Sequence, residues 1–298
     1  MKKNNSEVQI MRFVHFVEGS AKGLAVETEA GLRGLTENQP GYPGSLLQLL
    51  DAGHAALQLA HRKLSEAPLL DASSIRYLPP IERPGKIVCV GLNYADHTKE
   101  SPYEQPSYPT FFPRFATTLI GHGDAIVRPQ ASEQLDYEGE LAVIIGSRGR
   151  HIPRERALEY VAGYSIFNEA SVRDYQFKSP QWTIGKNFDA TGAFGPTFVS
   201  ADELPPGARG LSLTTRLNGK VEQQGNTADM VFDVAELIAV LSEAVTLEPG
   251  DVIVTGTPAG IGWARRPMLF MQPGDICTVE IEGIGLLSNP IAAETPPA

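Results

Sequence analysis

Short apolar runs closed by glycine recur along this chain, as in KIVCVG (86–91), LAVIIG (141–146) and DVIVTG (251–256), and long helical periods between them are scarce. Parallel strands need crossovers of a dozen or more residues, usually helical. The spacing therefore predicts an α+β fold dominated by strands rather than a doubly wound sheet. The 29 Gly and 23 Pro in 298 residues supply the turns, and the length can bury a large core. MRFVHFVEG and GLAVETEAGLRGLTE alternate as strands do, and Leu46, Leu49, Leu50 and Leu57 predict a helix over 46–61 with His54 and His61 on its exposed side. The Pro-rich YLPPIERPGK reads as a linker, dividing a small N-terminal strand/helix module (1–80) from a larger domain (81–298). In that larger domain Val234, Leu237, Ile238 and Leu241 mark an amphipathic helix, and Cys277, Val279 and Ile281 share one strand face. The closing AAETPPA reads as a loose tail.

The formal charge of -10 argues against nucleic acid or an anionic membrane as partner. No apolar run approaches a membrane span. The opening MKKNNSEVQI lacks the apolar stretch of a signal peptide, so a cytoplasmic location is expected. Cys89 and Cys277, both in strand-like segments, read as reduced core thiols.

The chemistry concentrates around LDYEGELAVIIG (135–146), where Glu138 and Glu140 stand on the threshold of a wholly apolar run. Residues i and i+2 of a strand project to one side. Such a pair is ordinarily solvated, but here the apolar run sets it against the core, where two unpaired carboxylates are costly. Either one takes a proton or a cation neutralises both. Oxygen ligands without a nearby Cys or His suit Mg2+ or Mn2+. Glu169 in NEASVRD supplies a candidate third carboxylate, and Arg173 beside Asp174 offers that residue a structural partner. In NYADHTKE, His97 and Glu100 are three apart. In a helical turn Glu100 would reach the imidazole, fix its tautomer and let it draw a proton from water; the alternative is a surface pair. Lys186 in GKNFDATGAFGP has, as a lone lysine, solvent as its ordinary surroundings. VTGTPAGIG (254–262) matches neither the phosphate-loop nor the dinucleotide pattern, although its N–H groups and Thr257 could hold a carboxylate.

In order along the chain, GLNYADHTKE, LDYEGELAVIIG, GYSIFNEASVRDYQ, GKNFDATGAFGP, GNTADMVFD, LEPGDVIVTGTPAGIG and IEGIGLLSN resemble the fumarylacetoacetate hydrolase family, from about Lys86 to Pro290. The resemblance implies a mixed β-sandwich roll, usually dimeric, with Mg2+ or Mn2+ held by Glu138, Glu140 and Glu169. It matches His97 with Glu100 to the general-base pair and Lys186 to the catalytic lysine. Arg173, Gln176 and Thr257 match positions that contact the substrate's carboxylate or keto group. Two departures stand out. The third ligand is usually Asp, and Glu169 pushes the carboxylate outward by roughly 1.5 Å. Arg114 in FFPRF stands where relatives often carry Lys, as a substrate clamp or a structural pair.

The activity implied is hydrolysis of a C–C bond in an acylpyruvate-like 2,4-diketo acid, giving pyruvate or a related 2-oxo acid plus a carboxylic acid. His97 would activate water, Lys186 would stabilise the oxyanion, and the cation would serve as Lewis acid for the departing enolate. The alternatives are decarboxylation of oxaloacetate-like acids, isomerisation or hydration of dienoates, and a catalytically silent metal- or ligand-binding protein. The acyl portion would be chosen by the loops ESPYEQPSYPTFF and FKSPQWTIG.

Overall fold

The computed structural model describes residues 11–295, so the MKKNNSEVQI segment and the last three residues of the tail lie outside the described residues. Strands dominate, as the glycine-closed runs predict. A large sheet runs in the order Gly31–Thr36, Ala21–Thr28, Arg12–Glu18, Gly192–Ser200, Val161–Glu169, Gly139–Ile145, Val252–Val254, Ile87–Gly91, Thr110–Pro113. Most of its pairings are antiparallel; Val252–Val254 runs parallel to Ile87–Gly91. The strands before residue 80 join this sheet directly, with Phe13 opposite Phe198 in register. A smaller sheet, Lys220–Asn226, Ser212–Leu217, Ile276–Ile281, Gly285–Ala293 and Ile126–Arg128, packs on one face of it.

The central strand Gly139–Ile145 is buried along its whole length, and its alternation assigns the two sides. Leu141, Val143 and Ile145 join the core facing the smaller sheet, which Leu213, Val279 and Leu287 complete. Ala142 and Ile144 face the other core, with Phe167, Phe194, Leu46 and Leu57. Glu138 and Glu140 continue the second series, at the margin of that core. Gly139 faces the smaller sheet, where a Cβ would stand 2.2 Å from Thr215 Oγ1; the glycine between the two glutamates lets the sheets approach. Cys89 and Cys277 are free, buried thiols, as expected.

The N-terminal helix differs from its prediction in two ways. It is two helices, Leu46–Ala52 and His54–Ser65, broken at Gly53, whose φ of +90° ends the first helix. Ser45 and Gln48 form a capping box at the start of the first. His54 is exposed as expected, but His61 is buried and meets the Phe13 ring edge-on at 5.9 Å. His61 follows Leu57 by one helical turn, so it shares the buried face of the second helix with Leu57, Ala60 and Leu64. Among the described residues no helix is long and apolar enough to cross a membrane.

Gly163 lies where two central strands meet: a Cβ there would stand 2.3 Å from the Val199 carbonyl oxygen and 2.6 Å from the Phe198 ring. Gly163→Ala is expected to cost about 1–3 kcal/mol, seen as a lower denaturant midpoint with an unchanged slope.

Candidate active site

The carboxylate cluster follows from strand register. Gly139 pairs with Asn168 and Glu140 with Phe167, and the Glu169 N–H donates to the Glu138 carbonyl at 2.9 Å. Glu169 is thereby the cross-strand neighbour of Glu138, as Glu140 is its neighbour along the strand. One oxygen from each of Glu138, Glu140 and Glu169 falls within 4.8 Å of the others, all three side chains buried. Glu169, longer than the usual Asp, thus reaches the same point as the other two carboxylates.

Three cations surround them. Lys186 Nζ donates to Glu138 Oε2 at 2.6 Å and to Glu169 Oε2 at 2.9 Å. It is buried rather than solvated. Burial alone would lower its ammonium, but Glu138 and Glu169 overturn that and hold it above its ordinary range. Arg173 Nη1 meets Glu138 Oε1 at 2.6 Å, and its Nε donates to Asp136 at 2.8 Å. Its carboxylate partners are therefore Asp136 and Glu138, not the adjacent Asp174, which accepts from the Ser132 hydroxyl. Although burial opposes it, Lys186 and Arg173 hold the Glu138 carboxyl down to about 2. Glu140 has the opposite fate: burial, then the charges of Glu169 and Glu138, push it well up.

Arg114 corrects one expectation. It does not line the pocket as a substrate clamp but lies fully buried behind Glu169, its Nη1 3.4 Å from Glu169 Oε1. Thr118 and Thr191 accept its other donors.

Four carboxylates (Asp136, Glu138, Glu140, Glu169) therefore face three cationic side chains (Arg114, Arg173, Lys186). Glu169 Oε1 has no hydrogen-bond donor. An excess of buried negative charge, converging oxygens and a carboxyl driven towards its neutral form are what a hard divalent cation relieves. The residues fit Mg2+ or Mn2+.

His97 closes the other side of the pocket from the short helix Ala95–Glu100. Its Nδ1 lies 2.9 Å from Glu100 Oε1, the predicted three-residue pairing. Glu100 also accepts from the Gly260 N–H at 2.9 and 3.0 Å and from that of Ile261 at 3.4 Å. Accepting on both oxygens, Glu100 receives the ring proton on Nδ1 and leaves Nε2 as the ring nitrogen it does not engage.

The glycine-rich loop 254–262 does hold carboxylates, and they are the protein's own. Gly256 N–H donates to Glu140, and Gly262 and Trp263 donate to Asp136 at 2.8 and 2.9 Å. Thr257 lines the pocket, its hydroxyl donating to the Gly139 carbonyl at 2.9 Å. Gln176 also lines it and accepts from Arg173. Arg173 Nη2 is buried without a partner.

The mouth of this pocket is aromatic. Trp182 Nε1 donates to the Tyr103 hydroxyl at 3.2 Å, beside Phe112, and Phe177 packs against Trp263 with ring centres 5.1 Å apart. Both loops expected to choose the acyl group contribute. Sequence reasoning missed Asp136, although it continues the alternation of Glu138 and Glu140 two residues upstream. It also missed Gln223, which accepts from the Gly139 N–H and donates to Thr257, and which no local pattern marks.

Residues 86–292 match the family model described as fumarylacetoacetate (FAA) hydrolase, C-terminal. The chain is 38% identical to oxaloacetate tautomerase Fahd2a, mitochondrial, of Rattus norvegicus, over 94% of this chain and 91% of the relative. It is 40% identical to the Homo sapiens oxaloacetate tautomerase FAHD2A, mitochondrial, with the same coverage. Among solved structures, fumarylacetoacetate hydrolase (EaFAH) from psychrophilic Exiguobacterium antarcticum superposes with a TM-score of 0.82 at 37% identity, covering 95% of this chain and 100% of that one. The 5-carboxymethyl-2-hydroxymuconate delta-isomerase from Mycobacterium smegmatis gives 0.75 at 30%, covering 96% and 100%.

The raised Glu140 carboxyl gives a prediction with a definite sign. Its neutral form favours the folded, metal-free protein below the ordinary carboxylate range, and that contribution is lost as pH rises through the raised value. Thermal melts of metal-free protein should fall with rising pH in this window. Mg2+ or Mn2+ should restore the midpoint in the wild type, and in Glu140→Gln much less.

Proposed function

Since the chain belongs to the fumarylacetoacetate hydrolase family, we propose that it is a divalent-metal-dependent enzyme of 2-oxo acid enol chemistry, interconverting the keto and enol forms of oxaloacetate or a close analogue. The observation that carries this reading is the His97–Glu100 pair, held by main-chain N–H groups and facing the carboxylate cluster across one pocket. Tautomerisation asks for one base, fixed in direction, to move a proton between C3 and the enol oxygen. His97 Nε2 is that base, and Glu100 steadies the imidazolium while it carries the proton. Arg173 Nη2, the unpartnered donor, receives a substrate carboxylate, with Gln176 holding the guanidinium in place. Glu138, Glu140 and Glu169 would hold Mg2+ or Mn2+, which when bound supplies a Lewis acid that acidifies the C–H beside the 2-oxo group. The relatives named oxaloacetate tautomerase support the choice of substrate.

Hydrolysis of an acylpyruvate is the second reading. The aromatic mouth favours it, since Tyr103, Phe112, Phe177, Trp182 and Trp263 offer apolar area that a four-carbon dianion does not cover. Against it stands Lys186: two of its three N–H groups are spent on Glu138 and Glu169, which suits a residue that fixes the ligands better than a donor awaiting an oxyanion.

Enol absorbance separates the two. With Mg2+ or Mn2+, the enol of oxaloacetate should relax faster in the presence of the protein, and acylpyruvates should stay intact. Cleavage of acylpyruvate to pyruvate, with enol relaxation at its uncatalysed rate, would replace the first reading by the second. His97→Ala should lower kcat by about 10²–10⁴-fold and leave metal binding, measured by calorimetry, as in the wild type.

A further inference from the structure

Glu100 accepts from two successive N–H groups, that of Gly260 at 2.9 and 3.0 Å and that of Ile261 at 3.4 Å, and the peptide joining these residues is gripped from behind. Its N–H, that of Ile261, donates to Glu100, and its carbonyl, that of Gly260, accepts from Arg265 Nε and Nη2, both at 3.2 Å. The Tyr137 hydroxyl donates to the same oxygen at 3.2 Å. Arg265 is anchored on the edge strand Lys220–Asn226 of the smaller sheet, pairing with the Glu222 carboxylate at 2.7 Å and donating to the Glu222 carbonyl. The fit is close: Gly260 has φ +110°, and a Cβ there would stand 2.2 Å from that carbonyl. Arg265 and Glu222 are not among the residues that line the pocket.

We propose that Arg265 is a positioning residue for the proton-transferring imidazole, acting through the Gly260–Ile261 peptide and Glu100. A cation on the carbonyl side of a peptide polarises it and strengthens the N–H on the far side. The same contact fixes the plane of the peptide, and with it the direction from which Glu100 approaches His97 Nδ1. Arg265, the Gly260–Ile261 peptide, Glu100 and His97 form one line of hydrogen bonds from the smaller sheet to the pocket. Without Arg265 the Gly260 carbonyl keeps only the Tyr137 hydroxyl, the loop relaxes from Glu222, and the two N–H groups that hold Glu100, those of Gly260 and Ile261, lose their fixed direction. The cost falls on proton transfer, while the groups that hold substrate and metal keep theirs.

This inference rests on His97 as the proton-transferring group, so its test needs an arm that requires no turnover. In ¹⁵N-histidine-labelled protein, with the His97 signals assigned by their loss in His97→Gln, Arg265→Met should shift or broaden the Nδ1–H resonance of His97 and leave the other histidines in place. On oxaloacetate, Arg265→Met should lower kcat by about tenfold with KM and Mn2+ affinity close to wild type. Arg265→Lys, which keeps a cation near the Gly260 carbonyl, should restore part of both signals. Tyr137→Phe, which removes the neutral donor, should displace the His97 resonance in the same direction and by less. A folded Arg265→Met protein with the wild-type His97 resonance overturns the proposal, as does a loss confined to KM or metal affinity. Absence of enol turnover in the wild type would instead count against the tautomerase reading, and the His97 spectrum would still decide the role of Arg265.

Discussion

Four carboxylates and three cationic side chains share one buried volume, and the site depends on that imbalance. No arrangement of Lys186, Arg173 and Arg114 neutralises all of Asp136, Glu138, Glu140 and Glu169, so the surplus settles on the residue with the fewest cationic neighbours. That residue is Glu140, which has a main-chain N–H where Glu138 has Lys186 and Arg173. A divalent cation would relieve that surplus, and the ion pairs to Lys186, Arg173 and Arg114 fix the directions of Glu138 and Glu169. The surrounding core is what makes the imbalance matter, because in water the same charges would be screened.

The sheets exist in the form that this cluster requires. Register between Gly139–Ile145 and Val161–Glu169 sets Glu169 opposite Glu138, and a slip of one residue would exchange the two faces of the central strand, turning Glu138 and Glu140 towards the core of the smaller sheet. The smaller sheet contributes from its edge strand: Gln223 braces the start of the glycine loop and Glu222, through Arg265, its middle. Three acidic side chains, Glu100, Asp136 and Glu140, hang from that one loop by its N–H groups. Its glycines allow the backbone approach that this demands.

Much of this was legible in the sequence where the information is local. Glu138 and Glu140 announce themselves by their two-residue spacing before an apolar run, His97 and Glu100 by helical spacing, and the strand-rich fold by the lack of long helices. The register that brings Glu169 to them is not local, and the family resemblance supplied it instead. The position of Arg114 behind Glu169, the pairing of Arg173 with Asp136 and the grip of Arg265 on Gly260 depend on contacts between distant segments, which no spacing rule encodes. His61 and the break at Gly53 were misread for a simpler reason: the leucine periodicity runs on through Gly53, and His61, one turn after Leu57, lies on the leucine face.

The aromatic mouth is built differently from the floor. Tyr103, Phe177 and Trp182 reach in from turns and irregular segments and Trp263 from a 3-10 turn, whereas Glu138, Glu140 and Glu169 are set by strand register and Glu100 by main-chain N–H groups. A change among these rings therefore acts on the rim of the pocket and not on the register that gathers the carboxylates. On the proposed function, a lineage carrying this scaffold can trade one acid for another by exchanging a few rings, its proton transfer left as it was.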